Sequence, residues 1–472
     1  MLICFLTLVA LIPTSSSINP GVKVRLTEKG LEYGRVLGIA ALQQKLKSIK
    51  IPSFSGKTGV FPIGKVRYSF SNGRILNVGL PQSSVTLVPG TGVRMRITNA
   101  FINLRGNWRV KYLFWIRDSG YFNLNVNGLT ISTSIGIRSD AMGRPEVSSV
   151  NCAARVGRAR VKFHGGASWL YNLFRKSIGK ALRRAMEKEI CPLVSKAVSD
   201  LNPELKTLNV VAKVDKHAEI EYSLVSSPTI SKPAIELNLK GEFYNIRNHQ
   251  EPPFTAAAFS LPQQNNKMLY IGISAFTANS AAYVYNRAGL LTLYITDNMI
   301  PKSSPVRLST RTFGFFIPEI AKRFPGRMMK LLVKAKKRPI TTFEPNNMTI
   351  QATTAVTAYA IQPNRRLSPL FVLHLDTSVT TNMVVRGMKL VGKVGLNKMS
   401  LTLDRSYVGQ FQVRLLDNFL QLLTKTVVIP IVNAQLAKGY PLPALGKMRL
   451  QNTQLRIMKD FMMIGTDVQF KI

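Results

Sequence analysis

Residues 106–117, GNWRVKYLFWIR, combine cations with two tryptophans and contain no acid. Arg109 and Lys111 lie between Trp108 and Trp115. Indole rings favour the headgroup level of a membrane, and basic side chains attract its phosphates. The stretch therefore predicts a surface for an anionic membrane or lipid, with both tryptophans at the interface. The alternative is a half-buried strand whose cations merely keep a sheet edge soluble.

The distribution of charge favours the first interpretation. The chain has 64 Lys and Arg against 23 Asp and Glu, a formal net charge of +41, and residues 33–117 hold 14 cations and no acid. A strand that needs only solubility normally mixes both signs. Such charge indicates an anionic partner: a phosphate-rich membrane, a heparin-like polyanion or nucleic acid. An anionic amphiphile fits best, with phosphates for the cations and acyl chains for an apolar cavity.

Catalysis finds no support in the sequence. The four histidines, His164, His217, His249 and His374, stand far apart, and no HExxH, CxxC or GxSxG motif occurs. SGKTG at 55–59 lacks the first glycine of a phosphate loop, since position 51 is isoleucine. We expect no enzyme activity, no metal site and no catalytic cofactor.

The N-terminus is typical of an exported protein. Residues 1–17 contain a short apolar run followed by serines, which predicts a signal peptide and a secreted or granule-stored protein. Export argues against nucleic acid as a specific partner. Cys152 and Cys191 then remain, either as one disulfide or as two free thiols, and Asn347 begins a glycosylation sequon.

The periodicity predicts helix, sheet and helix in each half of the chain, hence two α+β lobes. Gly128 shifts the alternation of its strand, as a bulge would. We assign the apolar stripes of the two first-lobe helices to packing against the sheet, the alternative being membrane-surface helices. The predicted elements are a helix at 27–49, strands at 60–165, a helix at 167–200, a linker around a strand at 226–253, strands at 268–296, a helix-like stretch at 308–336, strands at 340–408 and a helix at 411–436.

The chain resembles the family of bactericidal/permeability-increasing protein, lipopolysaccharide-binding protein and the plasma lipid-transfer proteins. The resemblance covers essentially the whole mature chain, and the order of its motifs makes it specific. The motifs are NPGVKVRLTEKGLEYG (19–34), ALQQKLKSIKIP (41–52), ITNAFINLRGNW (97–108), the Cys152/Cys191 pair, KGEFY (240–244), DNMIPKSS (297–304), FIPEIAKRFP (316–325), KGYPLP (438–443) and MMIGTDVQF (462–470).

The resemblance implies an α+β fold, an elongated boomerang of two similar barrels joined by a central antiparallel sheet. Each barrel would be a twisted antiparallel sheet with long helices. We expect an N-terminal barrel at 18–225, a linker and part of the central sheet at 226–253, and a C-terminal barrel with the remaining central strands at 254–472. Two apolar pockets near the junctions would each hold a phosphatidylcholine-like phospholipid.

The resemblance also implies that cationic loops at the tip of the first barrel bind the phosphates of lipid A. One loop follows IKIP, and a second is the RGNWRVK turn. A third follows the strand 158–163, where relatives carry lysines and this chain has HGGAS at 164–168. The residues concerned are Lys57 and Lys65 in the first loop, Arg105, Trp108, Arg109 and Lys111 in the second, and Arg160 and Lys162 beside the third.

The high positive charge resembles that of the bactericidal member of the family. The hypothesis is a secreted, monomeric innate-immune protein that binds lipopolysaccharide, permeabilises Gram-negative outer membranes and neutralises endotoxin. One alternative is a carrier that delivers lipopolysaccharide or phospholipid monomers to a receptor. A second is a general binder of heparin-like polyanions whose lipid pockets are only structural.

Overall fold

The structure is a computed structural model that describes residues 19–47, 50–51, 53–60, 64–112, 116–168, 172, 175–208, 210–304, 307–443 and 448–470. The predicted signal peptide and Trp115 lie outside these residues. The first described element is the strand β1 (Val22–Thr27). The helix Glu28–Lys47 follows it, as the apolar spacing at 27–49 predicts.

The first lobe is built on an eight-stranded antiparallel sheet. Apolar and polar side chains alternate along its long strands, so one face is buried and the other is exposed. The strands are β2 (Lys50–Ile51), β3 (Phe54–Val60), β4 (Gly64–Gly79), β5 (Gln82–Val88), β6 (Gly92–Tyr112), β7 (Ile116–Ser139), β8 (Pro145–Arg155) and β9 (Arg158–His164). Their order in the sheet is β2-β4-β6-β7-β8, with β3 paired to β4, β5 to β6 and β9 to β7.

Two helices cover the buried face of this sheet. Ile39, Leu42 and Leu46 of the first helix pack against its core, and Leu182 and Ile190 of the helix Arg175–Ser199 are buried in it. The apolar stripes therefore pack against the sheet, as predicted. A Cys152–Cys191 disulfide ties the second helix to β8, which confirms the first of the two cysteine interpretations.

Gly128 lies at an irregularity in the pairing of β6 with β7. The register shifts on both sides of Ala100, which lies opposite Leu129, and Gly128 has φ of +66°. That conformation suits glycine because it has no Cβ. The bulge predicted from the change of alternation is therefore confirmed.

The second lobe contains a seven-stranded antiparallel sheet. A separate three-stranded sheet precedes it in the chain. The smaller sheet joins β10 (Val211–Lys213), β11 (Ala218–Glu221) and β14 (Glu242–Asn245), while β12 (Thr229–Ile230), β13 (Ala234–Leu239) and β15 (Leu269–Ser274) belong to the central sheet. The second-lobe strands are β16 (Thr292–Thr296), β17 (Met329–Ala335), β18 (Ile340–Glu344), β19 (Asn347–Ile361), β20 (Leu367–Arg386), β21 (Lys389–Ser406) and β22 (Tyr440–Pro441).

Two predictions for the second lobe were wrong. The region 268–296 is not all strand, since the alanine-rich helix Ala275–Arg287 separates β15 from β16. The region 308–336 is not one helix. It forms two short helices, Thr310–Gly314 and Pro318–Arg323, and then β17. Pro325 and Gly326, which has φ of +66°, end the helical part, and the following residues alternate in burial.

The long apolar helical region near the C-terminus is present as predicted, in four segments. They are the 3₁₀ turn Val413–Leu416, the α-helix Asp417–Leu423, the π-helical turn Thr424–Val428 and the α-helix Ile429–Leu436. Among the described residues, this region is the one helix long and apolar enough to cross a membrane. Several of its side chains are buried in the second-lobe core: Leu416, Phe419, Leu420, Leu423 and Val427.

A central six-stranded sheet joins the lobes with strands from three distant parts of the chain. Its order is β12-β13-β1-β15-β24-β23, where β23 is Met448–Ile457 and β24 is Phe461–Phe470. β1 pairs with both β13 and β15. The expected α+β fold, two sheet-and-helix lobes around a central antiparallel sheet, is confirmed.

Candidate anion-binding site

A cleft of about 390 Å³ opens on the exposed face of β3, β4 and β6. At its other end this sheet meets the central sheet, where the Gly90 amide donates to the Ile230 carbonyl. The cleft therefore lies at the far end, and we call it the tip cleft. Four cations line it together with two serines, a tyrosine and a glycine: Ser55, Gly56, Lys57, Arg67, Tyr68, Ser69, Arg109 and Lys111.

Strand register places four cations in one row across the tip. Lys57 lies opposite Arg67, Arg67 opposite Lys111, and Lys111 opposite Arg117. All four side chains are exposed. Within the described part of the chain, none of these side chains has an ion-pair or hydrogen-bond partner. Like charges directly opposite each other destabilise a sheet. The row therefore favours a bound anion, which would relieve that repulsion.

A second row, Ser55–Ser69–Arg109–Ser119, lies two residues along the same strands. Its serines leave space between the cations, since their side chains are short, and their hydroxyls can donate to an anion. The tip cleft thus offers four cationic side chains around a floor of hydroxyl groups. This chemistry suits phosphate oxygens.

The structure brings together only some of the predicted phosphate ligands. Lys57, Arg109 and Lys111 line the cleft, and Lys65 lies opposite Gly59, next to it. Arg105 and Lys162 belong to a more distant row, and Arg160 lies opposite Asn125 in another. RGNWRVK is not a turn, because these residues form the continuous strand β6.

Sequence reasoning missed Arg67 and Ser69, both in the cleft, and Arg117 in the cation row. Arg67 and Ser69 alternate with Val66, Tyr68 and Phe70, a pattern that places them on the exposed face. That signal was available in the sequence. Their position opposite Arg109 and Lys111 was not, because it depends on register.

The interface role predicted for Trp108 was wrong. The side chain is 1% exposed and packs against the ring of Phe163 in the first-lobe core, with the two ring centres 5.7 Å apart. Its Nε1–H donates to the backbone carbonyls of Tyr121 at 3.1 Å and His164 at 3.2 Å. Trp108 shares its side of β6 with Val110 and Leu104, which are also buried. The partner predicted for it at the interface, Trp115, lies outside the described residues.

Above Trp108, on the exposed face, four side chains form a cluster that we call the Arg105 cluster: Arg105, Tyr121, Asn123 and His164. The rings of Tyr121 and His164 stack at 4.6 Å, and the Arg105 guanidinium lies 5.1 Å from the Tyr121 ring centre. Arg105 Nε donates to Asn123 Oδ1 at 3.0 Å, and Asn123 Nδ2 lies 3.3 Å from His164 Nε2. Gly120 is required beneath them, because a Cβ there would lie 2.1 Å from the His164 carbonyl oxygen.

The carboxylate of Asp118 holds the backbone of the HGGAS loop. The Asp118 carboxylate accepts hydrogen bonds from the Ala167 amide and from its neighbour Ser119, both at 2.8 Å. Residues 164–168 contain no lysine or arginine.

A separate apolar cavity of about 410 Å³ lies between the central sheet, the smaller sheet and the second lobe. Among the residues that the structure describes, its lining carries no charged side chain, and its polar groups are mainly threonine and tyrosine hydroxyls. Burial raises the pKa of Tyr222 and of Tyr440, so both phenols stay neutral. Tyr222 donates to the Pro441 carbonyl at 2.7 Å and Tyr285 to the Asp215 carboxylate at 2.7 Å. A hydrocarbon chain suits this cavity.

Asn347 is exposed at the start of β19, and its glycosylation stays a prediction. An apolar pocket in the first lobe also stays a prediction. Among the described residues, no three His, Cys, Asp or Glu side chains come together as metal ligands.

Comparison with known proteins gives matches along almost the whole chain. The model of the N-terminal domain of the LBP / BPI / CETP family matches residues 30–202, and that of the C-terminal domain matches residues 212–470. The chain is 69% identical over 470 residues to a bactericidal permeability-increasing protein of Sebastes schlegelii, covering 100% of this chain and 99% of the relative.

Two further comparisons are with lipopolysaccharide-binding proteins. The protein of Mus musculus is 36% identical over 458 residues, covering 97% of this chain and 95% of the relative. A crystal structure of lipopolysaccharide binding protein superimposes with a TM-score of 0.64 and 34% identity, covering 96% of this chain and 100% of that one.

Proposed function

The chain belongs to the LBP/BPI/CETP family, and we propose that its tip cleft binds the phosphates of lipid A in lipopolysaccharide. The observation that carries the proposal is the row Lys57, Arg67, Lys111 and Arg117, which concentrates four cations without partners among the described residues. The family resemblance predicted from the sequence is confirmed, and binding of lipids, including lipopolysaccharide, is the role that the family supports.

The proposed action is physical and requires no catalytic residue. Lipid A phosphates at an outer membrane are bridged by divalent cations. The tip-cleft cations would displace those ions, each contributing on the order of 1 kcal/mol near an anionic surface. The serine hydroxyls would complete the hydrogen bonding of the phosphate oxygens. Loss of the bridging ions would loosen the membrane, and occupied phosphates would be withheld from other receptors.

We assign the apolar cavity to a different ligand, a phosphatidylcholine-like phospholipid. The described residues that line the cavity run from 220 to 462 and those that line the tip cleft from 55 to 111, so the two linings have no described residue in common. The uncharged lining suits acyl chains and leaves the headgroup outside. Both sites would therefore be filled independently.

Permeabilisation and endotoxin neutralisation are proposed ahead of delivery to a receptor. Two features favour them: the net charge of +41, and 69% identity to a relative named bactericidal permeability-increasing protein against 36% for one named lipopolysaccharide-binding protein. We further propose a secreted or granule-stored monomer. Binding of heparin-like polyanions would follow from the same charge and would be less selective.

The test uses two double variants of the full chain. Arg109→Glu with Lys111→Glu reverses two tip-cleft cations, and Arg94→Glu with Arg96→Glu reverses two exposed cations with the same spacing on the same strand. The tip variant should bind lipid A at least tenfold more weakly and lose activity against Gram-negative cells, while the control keeps most of both. Equal losses would mean that charge acts without a site and would favour the polyanion alternative.

A second comparison separates endotoxin neutralisation from delivery of lipopolysaccharide to a receptor. Lipopolysaccharide-induced signalling by receptor-bearing cells should fall when the full chain is added, because the phosphates are occupied. A rise in signalling would favour the carrier. Intact and deacylated lipopolysaccharide at equal phosphate concentration provide the remaining control. The predicted apolar pocket of the first lobe would take acyl chains and favour the intact form, whereas a general polyanion binder would not distinguish the two.

A further inference from the structure

Arg105 is held in a fixed orientation on the exposed face of the first-lobe sheet. Its Nε donates to Asn123 Oδ1, and its guanidinium lies over the Tyr121 ring. Asn123 is itself fixed by its contact with His164, whose ring stacks on Tyr121. Each member of the Arg105 cluster therefore restricts another, and little side-chain entropy remains to be lost when a ligand binds.

The outer edge of this guanidinium is unused. In the described part of the chain, no group accepts a hydrogen bond from either Nη nitrogen of Arg105, and the residue is exposed. A planar guanidinium with two free parallel donors binds a carboxylate or phosphate by two hydrogen bonds. Lys162 lies across Asn123 and Arg74 lies directly opposite Arg105, so the surroundings are also cationic.

The surface around the cluster is polar in a way that suits a sugar. Asn103, Asn107 and Asn125 occupy the neighbouring register positions and are not buried, and 41% of Tyr121 is exposed. Amide side chains donate and accept hydrogen bonds, as the hydroxyls of a sugar ring require. A phenol edge adds an amphipathic contact for the ring.

The distance from the tip cleft fits a second unit of the same ligand. Arg105 and Arg109 are four residues apart on one face of β6, about 13 Å along the strand. We propose that the Arg105 cluster is a separate subsite for an acidic sugar, carrying a carboxylate or phosphate, in the saccharide chain that is joined to lipid A. The inference rests on the proposed function, since it places the lipid A phosphates in the tip cleft.

The test variant is Arg105→Lys, which keeps the charge and removes the planar pair of donors. The control is Arg74→Lys, an exposed arginine directly opposite with no hydrogen-bond partner among the described residues. Binding is measured with isolated lipid A and with lipopolysaccharide that carries its full core saccharide. Arg105→Lys should weaken binding of the core-bearing ligand roughly tenfold and leave lipid A within twofold. Arg74→Lys should change neither.

Two outcomes would overturn the proposal. Equal loss for both ligands would make Arg105 part of the phosphate site, and no loss for either would remove it from binding. Deacylated core saccharide distinguishes failure of this inference from failure of the proposed function. The wild-type chain could bind the core saccharide but not lipid A, with Arg105→Lys weakening the binding of the core saccharide. That result would support the subsite and contradict the assignment of lipid A phosphates to the tip cleft. Thermal unfolding of both variants checks that the fold is intact.

Discussion

Arg67 lies directly opposite Lys111 in the paired strands β4 and β6, so two cations share one register position on the exposed face of the sheet. Lys57 and Arg117 extend the same row on either side. A sheet selected for stability alone would alternate the signs of such cross-strand pairs. The arrangement is therefore best explained by a ligand that supplies the missing negative charge.

The disulfide should contribute substantially to the stability of the first lobe. Cys152 and Cys191 are 39 residues apart in sequence, and a closed loop of that length stabilises a fold by about 4 kcal/mol on the chain-entropy model. The double variant Cys152→Ala with Cys191→Ala should lower the free energy of unfolding by up to that amount, measured by urea denaturation. A loss below about 1 kcal/mol would show that packing of Leu182 and Ile190 suffices to hold the helix.

Trp108 should prove a structural residue with an indirect effect on the Arg105 cluster. Trp108→Ala removes a buried indole, which should lower the free energy of unfolding by about 3–5 kcal/mol. Trp108→Phe keeps most of the packing but removes the donor to the Tyr121 and His164 carbonyls, so a smaller loss is expected. If Trp108→Ala left stability unchanged and weakened only membrane binding, the interface role rejected above would be correct.

Filling the apolar cavity should displace its lipid without affecting the tip. Ala282 lines the cavity on the helix Ala275–Arg287, and Ala282→Phe adds a ring to that wall. Mass spectrometry of lipid that co-purifies with the variant should show a several-fold fall in bound phospholipid per chain. Lipid A affinity should stay within twofold of the wild-type value, because the linings of the cavity and the tip cleft have no described residue in common. Unchanged lipid content would argue against the cavity as the phospholipid site.

Stability of the central sheet should depend on the charge of Asp467. Burial acts to raise the pKa of this carboxyl, but hydrogen bonds from Lys29 at 2.9 Å, from Asn452 and from the Met268 amide outweigh it, so the pKa lies below its usual value. A depressed pKa means that the stabilisation is present above the unfolded-state pKa of about 3.9 and is lost as the pH falls through the folded-state pKa.

Asp467→Asn should accordingly lower the free energy of unfolding at pH 7, on the order of 1–2 kcal/mol. The difference from the wild-type chain should shrink as the pH falls from about 5 to below 3, because the wild-type carboxyl then becomes neutral as well. Urea unfolding of both chains at several pH values measures it. A difference that did not vary with pH would show that the charge of Asp467 contributes nothing.

Local features of this fold could be predicted from the sequence better than the long-range pairing of its strands. The helix at 28–47 and the bulge at Gly128 each leave a signature in a short stretch of chain, and the disulfide follows from the number of cysteines left in an exported chain. Arg67 shows why the site itself was harder to predict. Its position opposite Lys111 depends on two register shifts between β4 and β6, after Ser71 and after Ile75, and no local pattern specifies them.

Two errors have equally physical origins. Alternation along β6 places Trp108 with Val110 on the dry face, and the charge of its neighbours does not change that geometry. The helix Ala275–Arg287 was missed because strong strand patterns flank it on both sides. Arg105 lies on the same exposed face as the tip cleft but about 13 Å from Arg109 along β6, and no local pattern shows which cations share a row.

The most direct test compares lipid A with its dephosphorylated form, identical in acyl chains, for the wild-type chain and for Arg67→Glu. The wild-type chain should bind the phosphorylated form at least tenfold more tightly, and Arg67→Glu should remove most of that preference while leaving affinity for the dephosphorylated form unchanged. Equal affinities of the wild-type chain for the two forms, or an undiminished preference in Arg67→Glu, would contradict the assignment of the cation row to phosphate binding.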